Sequence, residues 1–166
     1  MSHKAERHSI SLLVSNKPGV LIRVALVFSR RGYNLDSVVV SPSHQSGFSR
    51  MNLTASGDKE ILVQIIRQLD KLVDVIHVAD HTGEEIVECE LSLVKVACPV
   101  DKRTEILQIA DHFRARGVDL TEDTLTFQTV GSSRKLDDFQ LMLEKYGIIE
   151  VVRSGKLIMA RGRKET

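Results

Sequence analysis

Two tandem ferredoxin-like units, each βαββαβ, are the α+β fold that this sequence predicts. Three observations carry the prediction. Residues 8–80 show the pattern strand, helix, strand, strand, helix, strand, which is the split βαβ arrangement. Residues 84–161 show the same order again, with a short extra strand near the end. Apolar residues make up 42% of the chain but aromatics only 4%, with no Trp, so the core must be built from Val, Ile and Leu, as suits sheets.

In the first unit, His8, Ile10, Leu12 and Val14 alternate with Ser9, Ser11 and Ser15, which marks residues 8–15 as a half-buried strand. A helix is expected over 18–30, with Leu21, Val24, Ala25 and Phe28 inward and Arg31-Gly32 at its end. The β-branched run 35–41 is the second strand, and the cluster Pro42-Ser43-His44-Gln45-Ser46-Gly47 is a turn. Residues 48–56 alternate again, with Met51, Leu53 and Ala55 on one face. Leu62, Ile65, Ile66 and Leu69 give residues 59–70 a helical stripe, and 73–79 make the fourth strand. Two helices on one face of a four-stranded antiparallel sheet leave the other face available to a partner.

Asp80-His81-Thr82-Gly83 is the expected boundary between domain 8–80 and domain 84–161. The second unit opens with a long strand over 86–98 that ends at Pro99. A helix over 102–115 turns Ile106, Ile109, Ala110 and Phe113 inward. Strands follow at 118–120 and 125–130. Gly131-Ser132-Ser133 opens a helix through Lys145 with Leu136, Phe139 and Leu143 inward, and 148–152 is a strand. Arg153-Ser154-Gly155-Lys156 then turns into a short hairpin strand at 157–160. The halves also echo each other in residues, Arg31-Gly32-Tyr33-Asn34-Leu35 against Arg116-Gly117-Val118-Asp119-Leu120. Residues 1–7 and 162–166 are expected to be flexible tails.

The stretch Ser15-Asn16-Lys17-Pro18-Gly19-Val20-Leu21 lies between the first strand and the first helix. Pro suits the first turn of a helix, and Gly allows close approach to the backbone. The N–H groups of a helix start favour an anion, such as the carboxylate of a free amino acid. A plain helix start is the competing reading. The matching place in the second half, Cys98-Pro99-Val100-Asp101-Lys102-Arg103, has neither Gly nor Asn, so a ligand is expected only in the first unit.

Other chemistry is poorly supported. The net charge of +1 favours neither nucleic acid nor an anionic membrane. No apolar run approaches the roughly 20 residues that span a bilayer. The polar first seven residues lack the apolar core of a signal peptide, and Cys89 and Cys98 lie too far apart on one strand to bridge, so a reducing cytoplasm is expected. His77 and His81 sit on a strand end and a loop and make a poor metal site. No nucleophile and base stand in a recognisable motif, and there is no phosphate-binding or dinucleotide fingerprint.

The residues Asn16-Lys17-Pro18-Gly19-Val20-Leu21 and Phe28-Ser29-Arg30-Arg31-Gly32-Tyr33-Asn34-Leu35 resemble an ACT domain. More narrowly, with Gln68-Leu69-Asp70-Lys71-Leu72-Val73-Asp74-Val75, Leu93-Val94-Lys95-Val96 and Glu150-Val151-Val152-Arg153-Ser154-Gly155, the chain resembles the small regulatory subunits of acetohydroxyacid (acetolactate) synthase. That resemblance makes the first domain an ACT domain and implies a non-catalytic protein. Such subunits activate a large catalytic subunit of branched-chain amino acid biosynthesis and confer feedback inhibition, typically by valine. Thiamine diphosphate, Mg²⁺ and FAD belong to the catalytic partner, and no cofactor is expected in this chain. The family's ACT domains pair side by side, with the inhibitor at the interface. Carried over, the effector-binding residues are Asn16, Gly19, Val20 and Leu21 of one chain with Asn34 and Leu35 of its mate, and Leu12 helps to enclose the ligand's side chain. A stand-alone ACT-type sensor acting on another enzyme or a transcription factor is the main alternative. An RNA or metal module lacks strand aromatics and a ligand cluster, and a small enzyme lacks a catalytic constellation.

Overall fold

Strand β1 (Glu6–Ser15) lies inside the first sheet, because its alternating side chains have apolar partners on both flanks. The computed structural model describes residues 6–166. Glu6 and Arg7 therefore extend β1, where a loose tail was expected; the rest of that tail, 1–5, lies outside the described residues. Helix α1 (Val20–Ser29), β2 (Asn34–Pro42), β3 (Phe48–Gly57), α2 (Lys59–Leu69) and β4 (Val75–Asp80) follow in the expected order. The sheet order is β2-β3-β1-β4, antiparallel throughout.

Ile10, Leu12 and Val14 meet Met51, Leu53 and Ala55 on one face, and the buried sides of α1 and α2 close over them. In α2 the expected stripe holds, and Asp58 caps it by accepting the N–H groups of Glu60 and Ile61 at 2.8 and 3.3 Å. In α1 the inward residues are Val20, Val24, Val27 and Phe28; Leu21, expected inward, is exposed. The opposite face of the sheet is not open as expected: Ser11, Asn52 and Thr54 are buried there.

β5 (Ile86–Ala97), α3 (Arg103–His112), β6 (Arg116–Leu120), β7 (Thr124–Gly131), α4 (Ser133–Glu144) and β8 (Ile148–Arg153) repeat the βαββαβ order. Their sheet runs β6-β7-β5-β8. Val94, Val96, Leu125 and Phe127 pack against Ile106, Ala110, Phe139 and Leu143. β9 (Leu157–Ala160) pairs with β5 and not, as expected, in a hairpin with β8. β8 occupies only the stretch from Ser92 to Val96 of the twelve-residue β5, which leaves room along the same strand.

The chain divides into two units, one running up to Val87 and including Lys156–Thr166, the other Glu88–Gly155. The expected boundary at 80–84 lies a few residues earlier, and the last residues rejoin the first unit. There the Arg50 guanidinium donates to the Thr166 carbonyl and the Lys164 ammonium donates to Glu84 at 3.0 Å, so the expected tail 162–166 is held in place.

The residue echo between the halves is out of register. Gly32 (φ +65°) lets the Tyr33 N–H reach back to the Phe28 carbonyl at 3.1 Å, a Schellman ending. In the second unit the same bond runs from Ala115 to Ala110, and Arg114 (φ +53°) takes the left-handed position. Gly117, three residues later, lies within β6.

Candidate functional site

The turn between β1 and α1 begins where β1 stops pairing. The Ser15 N–H donates to the Asp74 carbonyl at 2.8 Å and the Asn16 N–H to the Gly47 carbonyl at 2.9 Å. These bonds tie the turn to the entrance of β4 and to the β2–β3 loop. Pro18 does not enter the helix as expected. It precedes Gly19, which stands at the N-cap with φ +84°. That left-handed conformation favours glycine, and it turns the chain sharply into α1. The Gly19 carbonyl accepts the Arg23 N–H at 3.1 Å, the first bond of the helix.

The donors at this helix start are largely unused. The Val20 N–H makes one long bond, 3.4 Å, to the Lys17 carbonyl. Among the described residues, the N–H groups of Gly19 and Leu21 have no backbone acceptor. No acidic side chain lies in the first turn of α1. The second unit differs here, because α3 carries Glu105 in its first turn and starts without glycine. The Glu105 carboxyl is held below its ordinary value by the Tyr146 hydroxyl and then by Lys102. One helix start lacks an anion and the other supplies its own.

The proposed ligand-binding residues separate into two groups. Asn16, Gly19, Val20 and Leu21 sit at the N-terminal end of α1; Asn34 and Leu35 sit just beyond its C-terminal end, at the start of β2. Asn16, Gly19, Leu21 and Asn34 are exposed, and Leu35 is half-buried against the core. The Val20 side chain is buried in the core, which leaves its backbone as its contribution. Leu12 is wholly buried and cannot enclose a ligand as expected. Among the described residues, neither the Asn16 nor the Asn34 side chain has a hydrogen-bond partner. Asn34 and Leu35 edge a shallow groove of about 390 Å³ that Ala25, Phe28 and Tyr33 also line. A β-bulge between Leu35 and Ser37 follows.

Two features are not legible in the sequence. Arg23 stands beside the turn and donates through Nη2 to Asp74 Oδ2 at 2.5 Å. Elsewhere, Ser11 Oγ lies 2.8 Å from His81 Nε2, and His81 Nδ1 lies 3.1 Å from Glu84 Oε2. That chain has the connectivity of a hydrolase triad, but Ser11 and His81 are both buried, so no substrate carbonyl can reach the hydroxyl. It satisfies polar groups on the second face of the sheet. His77 is exposed on β4, away from such a role. Among the described residues, no three His, Cys, Asp or Glu side chains are grouped to hold a metal, and no helix is long and apolar enough to cross a membrane.

Comparison with known proteins adds the relatives. A family described as the AHAS small subunit-like ACT domain matches residues 10–77, and one described as the small subunit of acetolactate synthase matches residues 89–162. A probable acetolactate synthase small subunit of Archaeoglobus fulgidus is 42% identical over 96% of this chain and 99% of its own length. The acetolactate synthase small subunit of Mycolicibacterium smegmatis is 39% identical over 98% of this chain and 95% of its own. The crystal structure of the acetolactate synthase small subunit from Thermotoga maritima superposes with a TM-score of 0.84 at 35% identity, covering 96% of this chain and 99% of that one.

Proposed function

The chain belongs to the acetolactate synthase small-subunit family, with an ACT domain as its first unit, and on that premise we propose that it is a non-catalytic regulatory subunit. It binds a large catalytic subunit, raises its activity, and confers feedback inhibition by valine or another branched-chain amino acid. Thiamine diphosphate, Mg²⁺ and FAD act in the catalytic partner, and the chain works where that partner does, in the cytoplasm.

The observation that supports this reading best is the separation of the two residue groups. The ten residues of α1 span about 15 Å, whereas one extended residue spans about 3.5 Å. One amino acid cannot bridge both ends of α1 in a single chain. A second copy placed against the β2 edge can bring its own Asn34 and Leu35 to the turn of the first.

That edge suits pairing. Val38 and Val40 lie opposite Leu53 and Met51, on the helix-covered face of the sheet, yet they are 39% and 42% exposed. Leu21, Ile22 and Leu26 of α1 are also exposed, at 45%, 65% and 43%. A nine-residue Val-rich edge beside an apolar helix flank favours strand addition. The corresponding edge β6 is only five residues long and begins with the charged Arg116, so it offers less to a pairing strand. Dimerisation through the ACT domains follows, with the effector between them.

Occupancy of a shared pocket then changes the free energy of one dimer geometry relative to another, which is how a ligand inhibits at a distance. The test is reconstitution. Mixed with an acetolactate synthase large subunit, the chain should raise acetolactate formation, and added valine, leucine or isoleucine should lower it. No stimulation and no amino-acid response would overturn the reading.

A further inference from the structure

We propose that Arg23 reads the carboxylate of the effector and that Asp74 positions it for that task. The inference rests on the effector reading above and deepens it by naming a specificity-determining side chain outside the turn. Arg23 lies four residues after Gly19, and its N–H bonds to the Gly19 carbonyl at 3.1 Å, so its side chain rises from the same side of the helix start. The two terminal nitrogens of the guanidinium face different partners. Nη2 donates to Asp74 Oδ2 at 2.5 Å. Nη1 lies 3.9 Å from the place a Cβ on Gly19 would occupy, and among the described residues it has no hydrogen-bond partner. One nitrogen is tethered and the other stands over the turn.

Asp74 is well placed to be the tether. Its backbone carbonyl receives the Ser15 N–H at 2.8 Å while its carboxylate holds Arg23. A single residue thus fixes the end of β1 and the cation beside the start of α1. The Asp74 side chain is largely buried, whereas Arg23 is half exposed, so the anchor is shielded and the reader is accessible. Pairing with Asp74 cancels most of the long-range charge, so recognition depends on directed N–H groups at short range. Nη1 of Arg23 thus stands close to Gly19, at the helix start where the N–H groups of Gly19 and Leu21 have no backbone acceptor among the described residues. A carboxylate has two oxygens to share among them, and a guanidinium offers rigid, charge-assisted donors.

The ligand class this selects is an α-carboxylate, and an amide analogue should be rejected. The test is calorimetric binding of L-valine and L-valinamide to the full chain, alongside thermal unfolding, for wild type, Arg23→Gln, Arg23→Lys and Asp74→Asn. Wild type should prefer valine by about tenfold or more. Arg23→Gln should lose most of that preference by weakening valine and not valinamide. Arg23→Lys should keep part of it, and Asp74→Asn should fall between. An unchanged valine-to-valinamide ratio in Arg23→Gln would overturn the inference and leave the effector reading intact. Should Arg23→Gln not fold, unchanged ratios in both Arg23→Lys and Asp74→Asn would overturn it equally. A wild-type chain that binds no branched-chain amino acid would overturn the effector reading, and this inference with it.

Discussion

Replacing Gly19 separates the folding role of the turn from its binding role. At φ +84° an L side chain costs about 1–2 kcal/mol. The new Cβ would meet only Arg23 Nη1, at 3.9 Å, so no clash adds to that cost. Gly19→Ala and Gly19→Asp share the backbone penalty. Asp recovers about 0.3–1 kcal/mol by placing a negative charge at the start of α1. A domain with about 5–15 kcal/mol of stability survives either change. Gly19→Ala should lower the melting temperature by about 2–8 °C, and Gly19→Asp by less. For inhibition the order reverses. The Asp carboxylate takes the donors meant for the ligand, whereas Ala leaves them free. In the reconstituted enzyme Gly19→Asp should activate normally and ignore valine at concentrations that inhibit wild type fully. Gly19→Ala should remain inhibitable at higher valine. Wild-type sensitivity in Gly19→Asp, or loss of inhibition in both variants in step with melting temperature, would refute the competition argument.

Three further outcomes follow from the structure. Val40→Lys places a charge on the exposed β2 edge and should give a folded monomer in sedimentation velocity, whose unfolding no longer depends on protein concentration; a persistent dimer would exclude pairing through β2. Arg153 forks onto Glu90 at 2.8 and 2.9 Å, Ser133 adds a hydroxyl bond, and Glu90 is only 7% exposed. Arg153→Ala should therefore cost about 1–3 kcal/mol in urea unfolding, because the buried carboxylate keeps only the Ser133 hydroxyl; no measurable loss would contradict that. Hydrogen bonds from His81 and then Lys164 hold the Glu84 carboxyl below its ordinary value of 4.5. The unfolded chain then binds the proton first, so this contribution is present at neutral pH and fades as acid is added through the lowered value. Glu84→Gln should flatten that part of the stability curve below pH 4.5, and an identical acid limb would count against it.

The sequence is most informative where contacts are local. The alternation from His8 to Val14 identifies the core face of β1, and the α2 stripe matches its buried side. The Asn-Lys-Pro-Gly run marks the turn, because few sequences without glycine can enter a helix through a left-handed residue. α1 is harder to read. It is apolar nearly all round, so periodicity alone does not decide whether Leu21 or Val20 turns inward. Its flank at Leu21, Ile22 and Leu26 is apolar yet exposed. Arg114 takes by tertiary packing a conformation that Gly32 takes by chemistry, and nothing local announces it. β9 joins a strand far back in the chain, and Arg23 meets Asp74 across 51 residues. Long-range pairings of this kind leave little trace in a single sequence. The same is true of the Ser11–His81 contact, which places polar groups on a sheet face expected to be open.

A pocket shared by two chains makes a prediction that no pocket within one chain can match. Gly19→Asp spoils the turn, and Asn34→His crowds the strand start. Each variant alone should bring a dimer with two damaged sites. A mixed dimer of the two should contain one site with both changes and one site with neither. Valine inhibition of the reconstituted enzyme should then reappear when the two insensitive variants are co-expressed, at up to half the wild-type number of sites. If co-expressed variants remain as insensitive as either alone, although mixed dimers form, Asn16 to Leu21 and Asn34 to Leu35 do not share a site across the dimer.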